Sequence, residues 1–80
     1  MGERMRAALK AQEANYGWFT EHFEELVKEF DGMFVAIHGG MVVEFDGNPA
    51  RLRAKVLKRG LKLSEVTMEY VSKEPLTFIL

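Results

Sequence analysis

Met33-Phe34-Val35-Ala36-Ile37-His38-Gly39-Gly40-Met41-Val42-Val43-Glu44-Phe45 decides the fold. Two short runs of β-branched, aromatic and other apolar residues are joined by two glycines. Tight hairpin turns need positive φ, which glycine supplies without strain, so the stretch predicts a β-hairpin. Alternation places Met33, Val35 and Ile37 on one face of the first strand and Phe34, Ala36 and His38 on the other. Both faces are largely apolar, so the hairpin must be covered on both sides.

Upstream, Phe19, Phe23, Leu26, Val27 and Phe30 stand at i, i+4, i+7, i+8 and i+11, one face of a helix over residues 18–30 that Asp31-Gly32 ends. An alanine-rich segment over 3–14 carries a thinner stripe of Met5, Ala8, Leu9 and Gln12, and Asn15 and Gly17 are expected to end or kink it. Downstream, Asn48 suits a helix cap and Pro49 the first helical position, for a helix that stops at Gly60 and buries Leu52, Val56 and Leu57. Residues 65–71 then alternate, with Val66, Met68 and Tyr70 opposite Thr67, Glu69 and Val71, which predicts a third strand. The fold class is therefore α+β, ordered helix-helix-strand-strand-helix-strand, with a three-stranded, mainly antiparallel sheet of order 2-1-3 packed on helices. One domain spans 1–80: a helical extension over 1–16, a core over 18–71, and an apolar tail over 72–80.

Composition narrows the function classes. The chain has 80 residues, 48% hydrophobic and 29% charged, with a formal net charge of −1. No apolar run approaches the roughly 20 residues of a membrane span, and no basic leader precedes an apolar stretch, so a cytoplasmic protein without membrane association is expected. The absence of cysteine excludes disulfides and thiolate metal sites. Only Gln12, Asn15 and Asn48 are amides, a composition that leans toward a thermophile, with five methionines against it.

The block Trp18-Phe19, Glu24-Glu25-Leu26, Phe30, Gly32-x-Phe34-Val35-Ala36-Ile37 and Gly40-x-Val42-Val43 resembles a small prokaryotic domain family of unknown function. Its members have a Trp-led amphipathic helix, then Gly-x-aromatic-Val-Ala-Ile, a Gly turn and a Val-Val strand. The likeness covers residues 18–71 and implies a fold without a reaction. Some relatives are encoded beside retropepsin-like aspartic proteases, so the resemblance implies such a protease as a partner, or this chain as its substrate. The chain departs from the family at Asp31, where Pro usually precedes the Gly, and at Glu44-Phe45-Asp46, where smaller residues follow Val-Val.

No catalytic constellation is legible. His22 and His38 are the two histidines, and no Gly-x-Ser-x-Gly elbow accompanies Ser64 or Ser72. An enzyme acting through His38 and Glu44 is the remotest reading; His38-Gly39-Gly40 reads first as a hairpin turn. His22 and Glu25 share a helix face at i, i+3, but a metal site needs three or four convergent ligands. No cofactor is expected.

Charge is segregated. Residues 21–31 hold five acids against Lys28, whereas 51–62 hold six basic residues and no acid. Arg51, Lys55, Lys58, Arg59 and Lys62 share much of one helical face, a candidate surface for nucleic acid or an acidic partner. No aromatic stacking platform interleaves them, so a solvated face is the favoured reading. Apolar side chains point further. Phe34, Ala36, Val42 and the tail residues Leu76, Phe78, Ile79 and Leu80 exceed what so small a domain readily encloses, and they are the candidate interface. The function expected is a non-catalytic protein-interaction module forming a homodimer, with a nucleic-acid-binding regulator as the alternative.

Overall fold

The structure is a computed structural model that describes the backbone of residues 2–73 and the side chains of residues 8–73. Helices α1 (Gly2–Glu21) and α2 (Phe23–Phe30) precede strands β1 (Met33–Ile37) and β2 (Val42–Asp46). Helix α3 (Pro49–Lys58), a 3₁₀ turn (Leu63–Glu65) and strand β3 (Thr67–Val71) complete the chain. The three strands form an antiparallel sheet of order β2-β1-β3, the order expected from the sequence.

Helices cover both faces of the hairpin. Under α1 and α2, Phe19, Leu26, Val35, Ile37 and Val71 form one core, with Trp18, Phe23, Val27, Phe30 and Val42 packed against it. Under α3, Ala36, Leu52, Val56 and Val66 form a second, flanked by Phe34, Val43, Leu61 and Leu63. Local signals act as expected at the turns. Gly39 and Gly40 take φ of +63° and +76° in the hairpin, and the Asn48 side chain accepts from the N–H groups of Ala50 and Arg51 to cap α3.

Four expectations are corrected. First, α1 runs through Asn15 and Gly17, and the irregular residue is His22, inside the helix expected over 18–30. Asn15 has no positive φ; it is buried, and its side-chain NH2 donates to the Glu65 carbonyl at 3.0 Å. The helical path continues across His22, whose N–H donates to the Trp18 carbonyl at 3.0 Å and whose carbonyl accepts from Leu26.

Second, the third strand begins two residues later than expected, because its approach is held by α1 rather than by a neighbouring strand. The Gln12 amide donates to the carbonyls of Ser64 and Val66 and accepts from the Thr67 hydroxyl.

Third, Val42 does not share a face with Phe34 and Ala36. Ala36 pairs with Glu44 but Ile37 pairs with Val42, which leaves Val43 as an extra residue in a β-bulge. One extra residue inverts the alternation, so Val42 joins the α1/α2 core and Val43 the α3 core. Fourth, Leu57 is not buried: it is 51% exposed, whereas Leu52 and Val56 have no exposed surface.

Candidate functional site

The basic residues of α3 divide by face. Arg51 and Lys55 reach Asp46 at 3.2 and 3.1 Å, and Arg59 reaches Glu44 at 2.8 Å. Lys55 also donates to the Phe45 carbonyl at 3.1 Å, with its ammonium 6.0 Å from the centre of the Phe45 ring. The bulge that turns Val43 toward α3 leaves Glu44 and Asp46 on the same side, under these cations. Lys58 and Lys62 are exposed and, with Arg53, make no ion pair among the described residues. The cations expected to form one anion-facing surface are thus split, three engaged by β2 and two turned to solvent.

Asp46 is the electrostatic anchor of this layer. It accepts the backbone N–H of Asn48 at 2.8 Å. That bond, followed by Lys55 and Arg51, lowers its pKa from 3.8 to about 2. The attachment it gives α3 is present above the ordinary carboxylate range and is lost as pH falls toward 2.

Glu69 behaves in the opposite sense. It lies on β3 beside the α1/α2 core, half-buried, and desolvation raises its pKa above 4.5. The folded state therefore holds its proton more tightly, a contribution present at low pH and lost as pH rises through the folded value. Glu69→Gln is expected to raise the urea midpoint at pH 7, with the gain disappearing below about pH 4, where the side chain is protonated in both states. Equal midpoints for parent and variant at pH 7 would show that ionised Glu69 costs nothing.

The candidate interface residues fall into separate places. Ala36 is fully buried beneath α3 and offers no surface. Val42 is half-buried against the α1/α2 core. Phe34 is half-buried on the α3 side, its ring 4.9 Å from that of Tyr70. Leu76, Phe78, Ile79 and Leu80 lie outside the described residues.

The surface that sequence reasoning missed is on β3. Helix α3 lies over β2 and β1, so the α3-side face of β3 is only partly roofed. Met68 and Tyr70 on that face are 38% and 41% exposed, beside Phe34. Leu57, on the flank of α3 opposite Lys55 and Arg59, which face β2, is 51% exposed. β3 is also an edge of the three-stranded sheet, with a row of backbone groups that no described strand pairs. The alternation of 65–71 held the signal; what it lacked was how far α3 reaches.

His38 and Glu44, the remote catalytic pair, take different partners. His38 Nε2 lies 4.0 Å from a Glu65 oxygen, and Glu44 is bonded to Arg59. Among the described residues no group of three or more histidine, aspartate or glutamate side chains is arranged to hold a metal ion, and no helix is long and apolar enough to cross a membrane. Comparison with known proteins finds no matching family model, no matching curated protein and no matching solved structure.

Proposed function

We propose that this chain is a non-catalytic protein-interaction module that associates with a second copy of itself through β3 and the apolar opening beside α3. The observation that carries the reading is that β3 is a sheet edge that no other described strand pairs, and that it carries Met68 and Tyr70 exposed on its α3 side with Phe34 beside Tyr70. An edge strand of this kind is a template for another strand: backbone hydrogen bonds attach it, and alternate side chains select the partner. Contiguous exposed apolar side chains in a small domain mark interaction sites, and a second copy presents the same patch across a two-fold axis. Glu44 and Asp46 engage Arg51, Lys55 and Arg59, which argues against the nucleic-acid reading of α3. An aspartic protease, implied by the family resemblance, would be a further partner for the same face.

Light scattering over a range of concentrations tests the proposal. The parent chain is expected to dimerise, and Tyr70→Glu to shift it to monomer with an unchanged circular dichroism spectrum. A chain ending at Glu74 is expected to keep the dimer. A parent that stays monomeric at millimolar concentration, or a Tyr70→Glu chain that dimerises equally well, would overturn it.

A further inference from the structure

Trp18 is the single tryptophan of the chain. It stands near the end of α1 and borders two grooves. The His22 ring closes one face of the indole, with ring centres 4.5 Å apart and planes inclined by 21°. His22 Nδ1 lies 2.9 Å from the Trp18 carbonyl, an acceptor, which assigns a proton to Nδ1 and holds the stack in place.

The larger groove, about 420 Å³, lies between α1 and the β1–β2 turn, and Trp18, Asn15, Ala11, Ala14, His38 and Glu65 contribute to its walls. Asn15 is its distinctive member. The residue is 3% exposed, and its NH2 donates to the Glu65 carbonyl. Because that carbonyl can only accept, the orientation of the amide is assigned, and the oxygen Oδ1 remains. No described residue donates to Oδ1. No buried side-chain N or O atom among the described residues lacks a partner, so Oδ1 is open to solvent, and a ligand donor can take the place of that water.

The other groups agree in sign. Glu65, its side chain 43% exposed, lines the cavity, and among the described residues no lysine or arginine does. The other groove that Trp18 borders is likewise lined by Glu25 and Glu29 and, among the described residues, by no lysine or arginine. Among the described residues His38 is the one titratable donor at the larger groove, 4.0 Å from Glu65. The methyl groups of Ala11 and Ala14 provide apolar wall. An asparagine, a glutamate and a tryptophan lining one cavity with Ala11 and Ala14 match a group with several N–H donors, positive charge and an aliphatic stem.

We propose that this groove binds a primary alkylammonium group, supplied either by a free amine or by a lysine side chain of a partner protein. Asn15 Oδ1 and the Glu65 carboxylate accept its N–H donors, the Trp18 ring faces the cation, and the stem lies along Ala11 and Ala14. This site is separate from β3, and its readout is Trp18 itself, so its failure is distinguishable from a failure of self-association.

Titration of the full chain with butylammonium chloride and with Nα-acetyl-lysine amide, followed by Trp18 fluorescence and by the Asn15 side-chain amide signals in NMR, tests the assignment. Both probes are expected to give saturable changes. Their neutral counterparts, 1-butanol and Nα-acetyl-norleucine amide, are expected to bind at least tenfold more weakly. Tighter binding of the lysine amide identifies a protein side chain as the source, and tighter binding of butylammonium identifies a free amine. Glu65→Gln is expected to weaken both at least fivefold. That variant keeps the backbone carbonyl that Asn15 uses, so it leaves the fold in place where an Asn15 substitution would not. Unsaturable responses, equal binding of the neutral compounds, or an unaffected Glu65→Gln chain would each overturn the proposal.

Discussion

Leu52→Ala is expected to lower the stability of the domain by about 2–5 kcal/mol. Leu52 has no exposed surface and packs with Val56, Ala36 and Val66 between α3 and the sheet. Truncation removes the transfer free energy of its methyl groups and leaves a cavity that flanking side chains fill only in part. At roughly 0.05–0.15 kcal/mol per residue, the whole domain is stable by about 4–12 kcal/mol, so this one change removes a large fraction. Urea denaturation should show a lower midpoint with an unchanged slope. Leu57→Ala, on the same helix but 51% exposed, is expected to stay within about 0.5 kcal/mol of the parent at concentrations below association. Equal losses at the two positions would mean that α3 presents a different face to the sheet.

Gln12→Ala is expected to cost about 1–3 kcal/mol, a large effect for a half-buried polar residue in a thinly apolar helix. The Gln12 amide serves the carbonyls of Ser64 and Val66 and the hydroxyl of Thr67, and Asn15 serves that of Glu65. Together they dock α1 on the approach to β3. Losing Gln12 leaves the partly buried Val66 carbonyl and the buried Thr67 hydroxyl without a partner, and the penalty is that of desolvated, unpaired groups. Amide exchange at Val66 and Thr67 should accelerate more than exchange in β1. Leu9→Ala, on the same helix and 58% exposed, is the comparison, expected within about 0.5 kcal/mol. A Gln12→Ala midpoint no lower than that of Leu9→Ala would show that the amide contacts do not hold the helix.

Most of the architecture was legible because its signals are local. The hairpin follows from Gly39 and Gly40 between two apolar runs, and α3 from Asn48-Pro49 at its start and Gly60, with φ of +83°, after its end. The sheet order is the simplest one for a third strand that follows the hairpin and a helix, set beside the first strand. The segments misread are those where a residue's habitual local role was replaced by a distant partner. Asn15 and Gly17 resemble a helix end, yet the chain continues because Asn15 has a partly buried acceptor fifty residues away to satisfy. Glu65 resembles a strand start, yet α1 holds that segment as a 3₁₀ turn.

The surfaces follow the same division. Periodicity and composition alone determined that a three-stranded sheet would pack on helices with both hairpin faces covered, and that charge would separate between α2 and α3. Backbone conformational preference and side-chain alternation act within a few residues of each position, so they can be read along the chain. Tertiary structure alone decided that Val43 bulges, that Val42 and Ala36 are therefore on opposite faces, and that Glu44 and Asp46 meet α3. It also decided that Met68 and Tyr70 remain open and that Asn15 lines a groove with Glu65. Each of these depends on the register of one strand against another or on the reach of a helix across a sheet. Such choices are set by packing between residues far apart in sequence, where the shift of a single residue exchanges a buried face for an exposed one.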